Sequence, residues 1–343
     1  MRRTGAAFYC NLEDTRLFGL SAEDFPTVLD AIEELAPGGI PVFLDEVQEV
    51  PEWERLVRSL LDRGRHVCVT GSNASLLGRE LGAKLTGRHL SFEVFPFSYK
   101  EYLAYTGAGA GESSLLTYLD DGGYPGYLRE RSPQILRELL RDIIERDIAM
   151  RHGLRETRHV MNLALFLLAN TGQPFSMQNL TKSLGIPGVT QTARYLEHLQ
   201  DAYLMFSLPK FSTSFKHRVV APNKYYANDN GFRRVNSPQS SPDRGHRLEN
   251  LVFLALREKG TNVFYAGERN LWECDFVTDT SAIQVCAELT PYNRSREIAG
   301  VVRACCLPGK RKALILTLNQ RDHMKELDTS VKVQPAWEWL LEN

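Results

Sequence analysis

The N-terminal part of the chain alternates short apolar runs with stretches of helical periodicity. Residues 41–44 form an apolar run that follows Gly38-Gly39 and ends in two adjacent carboxylates, Asp45 and Glu46. Such a run predicts a strand buried on both faces, as in the middle of a parallel sheet. Apolar residues at helical spacing over residues 53–61 and a second apolar run at 67–70 follow it. Strand, helix and strand in this order predict an α/β fold.

The same pattern predicts the elements of the rest of the chain. Residues 89–94 should form the last strand of the first domain, and an amphipathic helix should cover residues 133–152. The Ser- and Pro-rich residues 236–243 predict a linker. The other expected helices are 163–169, 176–184 and 189–200, and the other expected strands are 202–208, 224–227, 262–266, 272–277, 282–286 and 313–318. We predict four domains, at residues 1–98, 99–158, 159–235 and 236–343.

Asp45 and Glu46 are the first candidates for chemistry. They follow a predicted parallel strand, and ligands bind at the carboxyl ends of strands in open α/β sheets. Asp45 could hold a phosphate-bound Mg²⁺ through a water, and Glu46 could polarise the water that attacks a γ-phosphate. The structural alternative is an exposed acidic turn after a core strand.

Several segments together resemble one prokaryotic family of AAA+ ATPases. They are Leu44-Asp45-Glu46-Val47-Gln48, Thr70-Gly71-Ser72-Asn73, Leu85-Thr86-Gly87-Arg88 and Phe95-Pro96-Phe97-Ser98. The resemblance implies a P-loop NTPase sheet, a helical lid, a winged helix and a C-terminal α+β domain that is similar to restriction endonucleases of the PD-(D/E)XK type. It also implies that Asp45 and Glu46 are the Walker B residues, that Asn73 or Ser72 is sensor 1, and that Arg88 is an arginine finger.

The phosphate-binding P-loop of such ATPases is missing from the sequence. Its pattern, G-x-x-x-x-G-K-[ST], occurs nowhere, and Gly309-Lys310 lacks both the upstream glycine and the following hydroxyl residue. We therefore expect this chain to bind ATP and Mg²⁺ poorly or not at all. In AAA+ sheets the strand before the P-loop lies centrally, so we also expect a sheet without its first strand and with two unpaired edges. A truncated gene, a misplaced start codon or a trimmed chain would each explain the absence.

Composition restricts the remaining possibilities. The formal net charge of −1 predicts no general attraction to nucleic acid or to anionic membranes. No uncharged apolar run approaches the roughly 18 residues of a membrane span, and no secretory signal follows Met1, so we expect a cytoplasmic protein without a membrane partner. The six cysteines include no CxxC pair, which favours buried free thiols over a zinc site.

The helices predicted at 176–184 and 189–200, joined by Gly185-Ile186-Pro187-Gly188, indicate a helix-turn-helix. Thr190, Gln191 and Arg194 should face outward on the second helix, where base edges or phosphates could be met. Lys216 and Arg218 lie in a basic segment between the two wing strands, which could neutralise phosphates. DNA is therefore a candidate partner, although such a module can also serve only the protein itself.

The last domain carries a nuclease-like pattern with two departures. Glu249 on a helix and Asp275 on a strand fit the acidic ligands of a PD-(D/E)XK site. Gln284 stands where the second acid of the strand pair belongs, and Cys286 stands where the Lys belongs. Gln is a weaker Mg²⁺ ligand than a carboxylate, and Cys supplies no ammonium. We therefore predict a degenerate site and a docking or scaffold role for this domain.

Three functions remain open from the sequence. The first is an AAA+-type ATPase coupled to a winged-helix and nuclease-like module, inactive in hydrolysis without a P-loop. The second is a non-catalytic DNA- or protein-binding module. The third is a metal-dependent DNA nuclease, which Asp275→Ala would inactivate. A homo-oligomer follows only from the resemblance.

Overall fold

The structure is a computed structural model that describes residues 7–72, 89–237, 243–268, 270–309 and 311–342. It divides the chain into two compact units, residues 1–92 and residues 93–343. The protein is of the α/β type, with a small parallel sheet in the first unit and a larger mixed sheet in the second. The four-domain division stays a prediction.

The first unit is built on a three-stranded parallel sheet. Strands β1 (Phe8–Asn11), β2 (Val42–Asp45) and β3 (Val67–Val69) lie side by side in that order. Helices α1 (Phe25–Leu35) and α2 (Trp53–Asp62) pack their apolar side chains against the sheet, and short 3-10 helices cover Thr15–Leu17, Ala22–Asp24 and Val47–Glu49. This strand order is the one expected of an AAA+-like sheet without its first strand.

Strand β2 is buried on one face, so the prediction of burial on both faces is wrong. Val42 and Leu44 lie in the core beneath the helices, whereas Phe43 is 38% exposed. Tyr9 and Cys68 pair with Phe43 in the same row across the sheet and are exposed as well. Because neighbouring residues of a strand point to opposite faces, α1 and α2 together cover only one side of this sheet.

The predicted last strand, His89–Val94, is also wrong. Residues 89–94 have no regular secondary structure, and Leu90, Phe92 and Val94 are exposed. A strand forms only where a neighbouring strand accepts its backbone hydrogen bonds. Among the described residues, no strand pairs with the second edge of β3 or with residues 89–94.

The second unit begins with a set of helices. They are α3 (Tyr99–Thr106), α4 (Glu112–Asp121), α5 (Pro125–Glu130), α6 (Pro133–Asp142), a π-helix (Ile143–Met150) that continues α6, and α7 (Arg158–Ala169). Ser98 caps α3 in a capping box with Glu101, so this helix begins where its sequence predicts. The amphipathic pattern at 133–152 therefore corresponds to α6 together with the π-helix.

A small three-stranded sheet and four further helices follow at the predicted winged helix. The elements are β4 (Pro174–Phe175), α8 (Met177–Ser183), α9 (Val189–Asp201), β5 (Met205–Leu208), α10 (Phe215–Val220), β6 (Asn223–Ala227) and α11 (Asn230–Asn236). Strand β6 lies in the middle, antiparallel to both β4 and β5. Leu196 and Leu199 of α9 are buried.

The C-terminal part of the second unit is a mixed six-stranded sheet with helices. Its elements are α12 (Arg244–Glu258), β7 (Phe264–Glu268), β8 (Trp272–Val277), β9 (Ser281–Val285), α13 (Arg294–Cys305), β10 (Lys312–Thr317), β11 (Asp322–Glu326), β12 (Thr329–Pro335) and α14 (Ala336–Glu342). The strands lie in the order β11-β12-β10-β9-β8-β7, and β8 and β9 form the predicted antiparallel pair. One apolar core, with members from Tyr99 to Leu340, joins helices α3–α7, the small three-stranded sheet with its helices, and this sheet.

A turn at residues 122–125 docks onto the segment after β6. The buried carboxylate of Asp229 accepts hydrogen bonds from the backbone N–H groups of Gly123 at 2.6 Å and Phe232 at 2.7 Å. Gly122 has a φ of 72°, and a Cβ there would lie 2.2 Å from the Asp229 carboxylate. Burial raises the pKa of Asp229 to about 6. The turn needs glycine for both its backbone angle and its close approach.

The prediction of buried thiols holds for two of the six cysteines. Cys274 and Cys286 are buried, whereas Cys10 and Cys305 are half-buried. Cys68 and Cys306 are exposed, and all six thiols are free. The exposure of Cys68 follows from the uncovered face of the first sheet.

Candidate functional sites

Asp45 ends the central strand of the first unit between two hydroxyl groups. Tyr9 Oη donates a hydrogen bond to Asp45 Oδ2 at 2.6 Å, and Thr70 Oγ1 donates one to Asp45 Oδ1. These bonds, first that of Thr70 and then that of Tyr9, lower the pKa of Asp45. Hydrogen bonds to the ionised form favour that form, so Asp45 is held as a carboxylate.

Glu46 follows with a left-handed backbone, at a φ of 52°. Gln48 Nε2 donates a hydrogen bond to Glu46 Oε2 at 2.5 Å, and the Val47 N–H donates to the Thr70 carbonyl at 3.1 Å. A positive φ is uncommon for a residue other than glycine and is found often at functional sites. The turn therefore holds both carboxylates at the carboxyl ends of β2 and β3.

The other residues predicted for this site are placed only in part. Ser72 is exposed, two residues beyond Thr70. Asn73 and Arg88 lie outside the described residues. The sequence analysis did not predict that Tyr9 and Thr70 donate hydrogen bonds to Asp45. The signal for Thr70 was its position at the polar end of the strand next to β2, but the contact of Tyr9 depends on the pairing of β1 with β2.

The chemistry of this site suits a hard cation. Carboxylate oxygens held in the ionised state are preferred ligands of Mg²⁺, which usually keeps several waters. The Asp45 carboxylate thus has the chemistry of one Mg²⁺ ligand. Among the residues that the structure describes, no group of three or more His, Cys, Asp or Glu side chains could hold a metal ion by itself.

A second cluster lies in the C-terminal part of the chain. Glu249 of α12 and Asp275 of β8 are both buried, and the sequence had predicted both for a nuclease-like site. Between them lies the ammonium of Lys224 from β6, at 3.0 Å from Glu249 Oε1 and 3.1 Å from Asp275 Oδ1. Glu273 Oε1 lies 2.6 Å from the same nitrogen, and Tyr226 Oη donates to Glu249 Oε1 at 2.7 Å.

Gln284 and Cys286 lie beside this cluster and have other contacts. Gln284 Oε1 accepts the Asp275 backbone N–H at 3.3 Å, and Gln284 Nε2 donates to Glu297 Oε2 at 2.7 Å. Burial raises the pKa of the Cys286 thiol to about 12, so this side chain stays uncharged. Neither side chain therefore supplies the charge that a nuclease has at that position.

The charges of the cluster do not balance. Burial alone would lower the pKa of Lys224, but the surrounding carboxylates, Glu249 first, raise it well above its ordinary value. Burial and the charge of Glu249 raise the pKa of Asp275 to about 7, although Lys224 acts in the opposite direction. Three carboxylates share one ammonium. Asp275 is buried beside the acidic Glu249, so Asp275 takes up a proton most readily.

The cluster forms the floor of an open cleft of about 1190 Å³. One wall comes from the predicted winged-helix region, with Gln173, Asn179 and Lys210, and the other comes from the C-terminal sheet and α13. Sequence reasoning found Glu249 and Asp275 but missed Lys224. The sequence shows only a lysine next to Tyr225 and Tyr226 in a short strand, and its carboxylate partners become apparent in the tertiary structure.

The residues predicted to contact DNA differ in exposure. Thr190 and Arg194 are exposed on α9, Gln191 is half-buried, and Lys216 is exposed on α10. Arg218 stacks over the ring of Phe264 at 5.0 Å and donates to the Ser212 carbonyl at 2.8 Å. Arg218 is thus held by its own chain, whereas Thr190, Arg194 and Lys216 are open to a partner.

Two segments of the chain match known protein families. Residues 2–103 match the AAA domain family, and residues 112–242 match a domain of unknown function, DUF8612. The chain is an AAA-domain protein, the class to which its small parallel sheet points. No helix in the described part of the chain is long and apolar enough to cross a membrane.

Full-length similarity extends the assignment beyond the first domain. The chain is 31% identical to the uncharacterized protein MJ1544 of Methanocaldococcus jannaschii over 375 aligned residues, which cover 97% of this chain and 81% of that protein. It is 30% identical to an uncharacterized protein of Haemophilus influenzae, over 75% of this chain and 67% of that protein. The chain belongs to the same family as these two proteins.

Proposed function

We propose that this protein is an AAA-type ATPase whose Asp45–Glu46 turn takes part in the hydrolysis of ATP. The observation that carries the proposal is the Asp45 carboxylate, which Thr70 and Tyr9 hold ionised at the end of the central strand. Membership of the AAA-domain family supports it. Mg²⁺ would neutralise charge on the phosphates when it is bound there.

Each carboxylate has a separate role in this proposal. Asp45 would accept hydrogen bonds from water bound to Mg²⁺, and Glu46 would orient and deprotonate the attacking water. Ser72, Asn73 and Arg88 would contact the phosphates, by resemblance. The phosphates also need a cradle of backbone N–H groups and a lysine, and no segment of this sequence has that pattern. The proposal therefore requires a phosphate-binding segment in addition to these residues.

The experiment measures ATP binding and hydrolysis in the presence of Mg²⁺. It compares this chain with a version extended upstream through any P-loop that the gene encodes. The Glu46→Gln variant of each of the two proteins is measured as well. We expect turnover in the extended protein only, and a loss of about 100-fold or more in Glu46→Gln, since a general base contributes at least this much. Glu49→Gln, in the next turn, is the control and should hydrolyse ATP normally.

A different outcome favours the second function. If no version binds ATP, the carboxylate pair has no catalytic role, and a non-catalytic DNA- or protein-binding module becomes the better description. Binding of a fluorescent DNA duplex that Arg194→Ala weakens would then identify DNA as the partner, because Arg194 is exposed on α9.

A further inference from the structure

We infer that the C-terminal carboxylate cluster is a metal-free site in which Lys224 supplies the cation. Carboxylate oxygens of Glu249, Glu273 and Asp275 converge on Lys224 Nζ, at 3.0, 2.6 and 3.1 Å. The nitrogen therefore stands at the point that a divalent ion would need to occupy. The nuclease-like pattern of this domain implies such an ion, and the side chains present do not fit it.

The dimensions of the cluster match an ammonium. Distances of 2.6–3.1 Å are those of N–H···O hydrogen bonds, whereas Mg²⁺ lies about 2.0–2.1 Å from its oxygen ligands. A metal would have to displace a lysine whose strand, β6, is paired on both sides. The side chain of Lys224 is 2% exposed, so its ammonium lies almost wholly among these carboxylates.

The side chains that would support a bound metal already make other contacts. Gln284 binds the Asp275 backbone and Glu297, and Asp275 Oδ2 accepts the Val285 N–H at 3.0 Å. Cys286 is buried. The ammonium that a PD-(D/E)XK enzyme has on the same strand as its second acid comes here from β6, a strand of the winged-helix region. No metal-activated water follows from this arrangement.

The position of Lys224 gives the cluster a different role. Lys224 belongs to the winged-helix sheet, whereas its three carboxylate partners belong to α12 and β8 of the C-terminal part. The ion cluster thus links the two regions at the floor of the cleft and holds them in one relative position. A buried, hydrogen-bonded charge cluster specifies one arrangement because any other leaves a charge without a partner.

The first experiment measures metal binding by the intact protein. Free Mn²⁺ is followed by electron paramagnetic resonance, and thermal unfolding is recorded in EDTA and in 5 mM Mg²⁺, for the wild type and for Glu249→Gln/Asp275→Asn. We expect the two proteins to bind Mn²⁺ equally, because any ion at Asp45 is common to both, and to show no difference in the response of Tm to Mg²⁺. Mn²⁺ binding in the wild type that the double variant loses would overturn the inference.

The second experiment removes the resident cation. In Lys224→Ala the three carboxylates face a cavity, and we expect a Mn²⁺ site at least tenfold tighter than any in the wild type, which Asp275→Asn in the same background removes. Lys210→Ala, in the wall of the same cleft, is the matched control and should bind Mn²⁺ as the wild type does. If folded Lys224→Ala binds no additional Mn²⁺, the carboxylates are not a cation site and the inference is wrong.

The folding of Lys224→Ala provides the remaining measurement. If this variant does not fold in EDTA, we expect Mn²⁺ to restore its circular dichroism spectrum and its compact hydrodynamic radius, with no such rescue by an equal ionic strength of NaCl. A failure of rescue by Mn²⁺ would count against the inference as strongly as the absence of binding to a folded variant.

Discussion

Asp45 and Asp275 both lie on strands next to other acidic residues. They differ in the groups that stabilise each carboxylate. Asp45 is partly open to solvent and is held by the neutral hydroxyls of Thr70 and Tyr9, which lower its pKa. Asp275 is buried beside Glu249 and Lys224, and its pKa is raised to about 7. The first carboxylate keeps its charge without a cation, and the second shares one that the protein provides.

The difference separates a site that can take a cation from one that already contains it. An ionised carboxylate at an open strand end attracts an external ion at little cost in desolvation. A buried carboxylate needs an internal partner, because isolated charges are very unfavourable in the protein interior. The comparison therefore explains why two similar acidic motifs in one chain lead to different proposals.

The largest expected effect comes from removing the internal cation. Lys224→Met leaves Glu249, Glu273 and Asp275 without a countercharge, and breaking a buried ion pair in this way costs about 3–5 kcal/mol. We expect the free energy of unfolding of the second unit to fall by that amount in guanidinium denaturation at pH 7. Lys210→Met, in the same cleft, should cost less than about 1 kcal/mol. Equal effects of the two substitutions would show that the cluster contributes nothing special.

A smaller effect should appear in the dependence of stability on pH. The pKa of Asp275 is about 7 in the folded protein, above the ordinary value of 3.8 for an Asp carboxyl, so folding favours the protonated form between these values. This stabilisation is fully present below about pH 4 and is lost as the pH rises through about 7. Relative to Asp275→Asn, the wild type should therefore lose on the order of 2–4 kcal/mol over that range.

Denaturation of both proteins at pH values from 4.5 to 8 measures this difference. Asp279→Asn, on an exposed turn after β8, serves as the control and should follow the wild type in parallel. A wild type that gains stability relative to Asp275→Asn over this range would mean that Lys224 outweighs burial and Glu249, which reverses the sign of the argument.

The smallest effect is expected at the open site. Thr70→Val removes the hydroxyl that donates to Asp45 Oδ1, and an ordinary hydrogen bond contributes about 1 kcal/mol or less to stability. The pKa of Asp45 should rise towards its ordinary value, which NMR titration of the carboxyl carbon measures. Thr70→Ser keeps the hydroxyl and should leave that pKa low. A loss of stability as large as that of Lys224→Met would remove the contrast between the sites.

The sequence predicted local elements better than it predicted their surroundings. The helices with clear apolar periodicity, such as α2 and α9, occur where the pattern places them. The carboxylates Asp45 and Glu46 lie at the end of a parallel strand as expected. Burial of β2 on both faces and the strand at 89–94 were wrong because each depends on a neighbour that apolar residues alone do not specify.

The candidate sites show the same limit. Glu249 and Asp275 could be proposed because residue type and spacing follow a known pattern. Lys224 could not, because it reaches them from a strand 25 residues before Glu249 and 51 before Asp275, so only the tertiary structure brings the three together. The hydroxyl of Tyr9 approaches Asp45 across 36 residues for the same reason.

The row of Leu90, Phe92 and Val94 has a consequence for anyone who concentrates the purified protein. These three apolar side chains alternate with polar residues outside any sheet and are 77–96% exposed. Such a stretch is similar to an edge strand of a sheet. An edge strand pairs with strands of other molecules unless a charged residue or a covering segment prevents the pairing. Because the formal net charge of −1 provides little repulsion between molecules, storage at low concentration should keep solutions of this protein clear for longer.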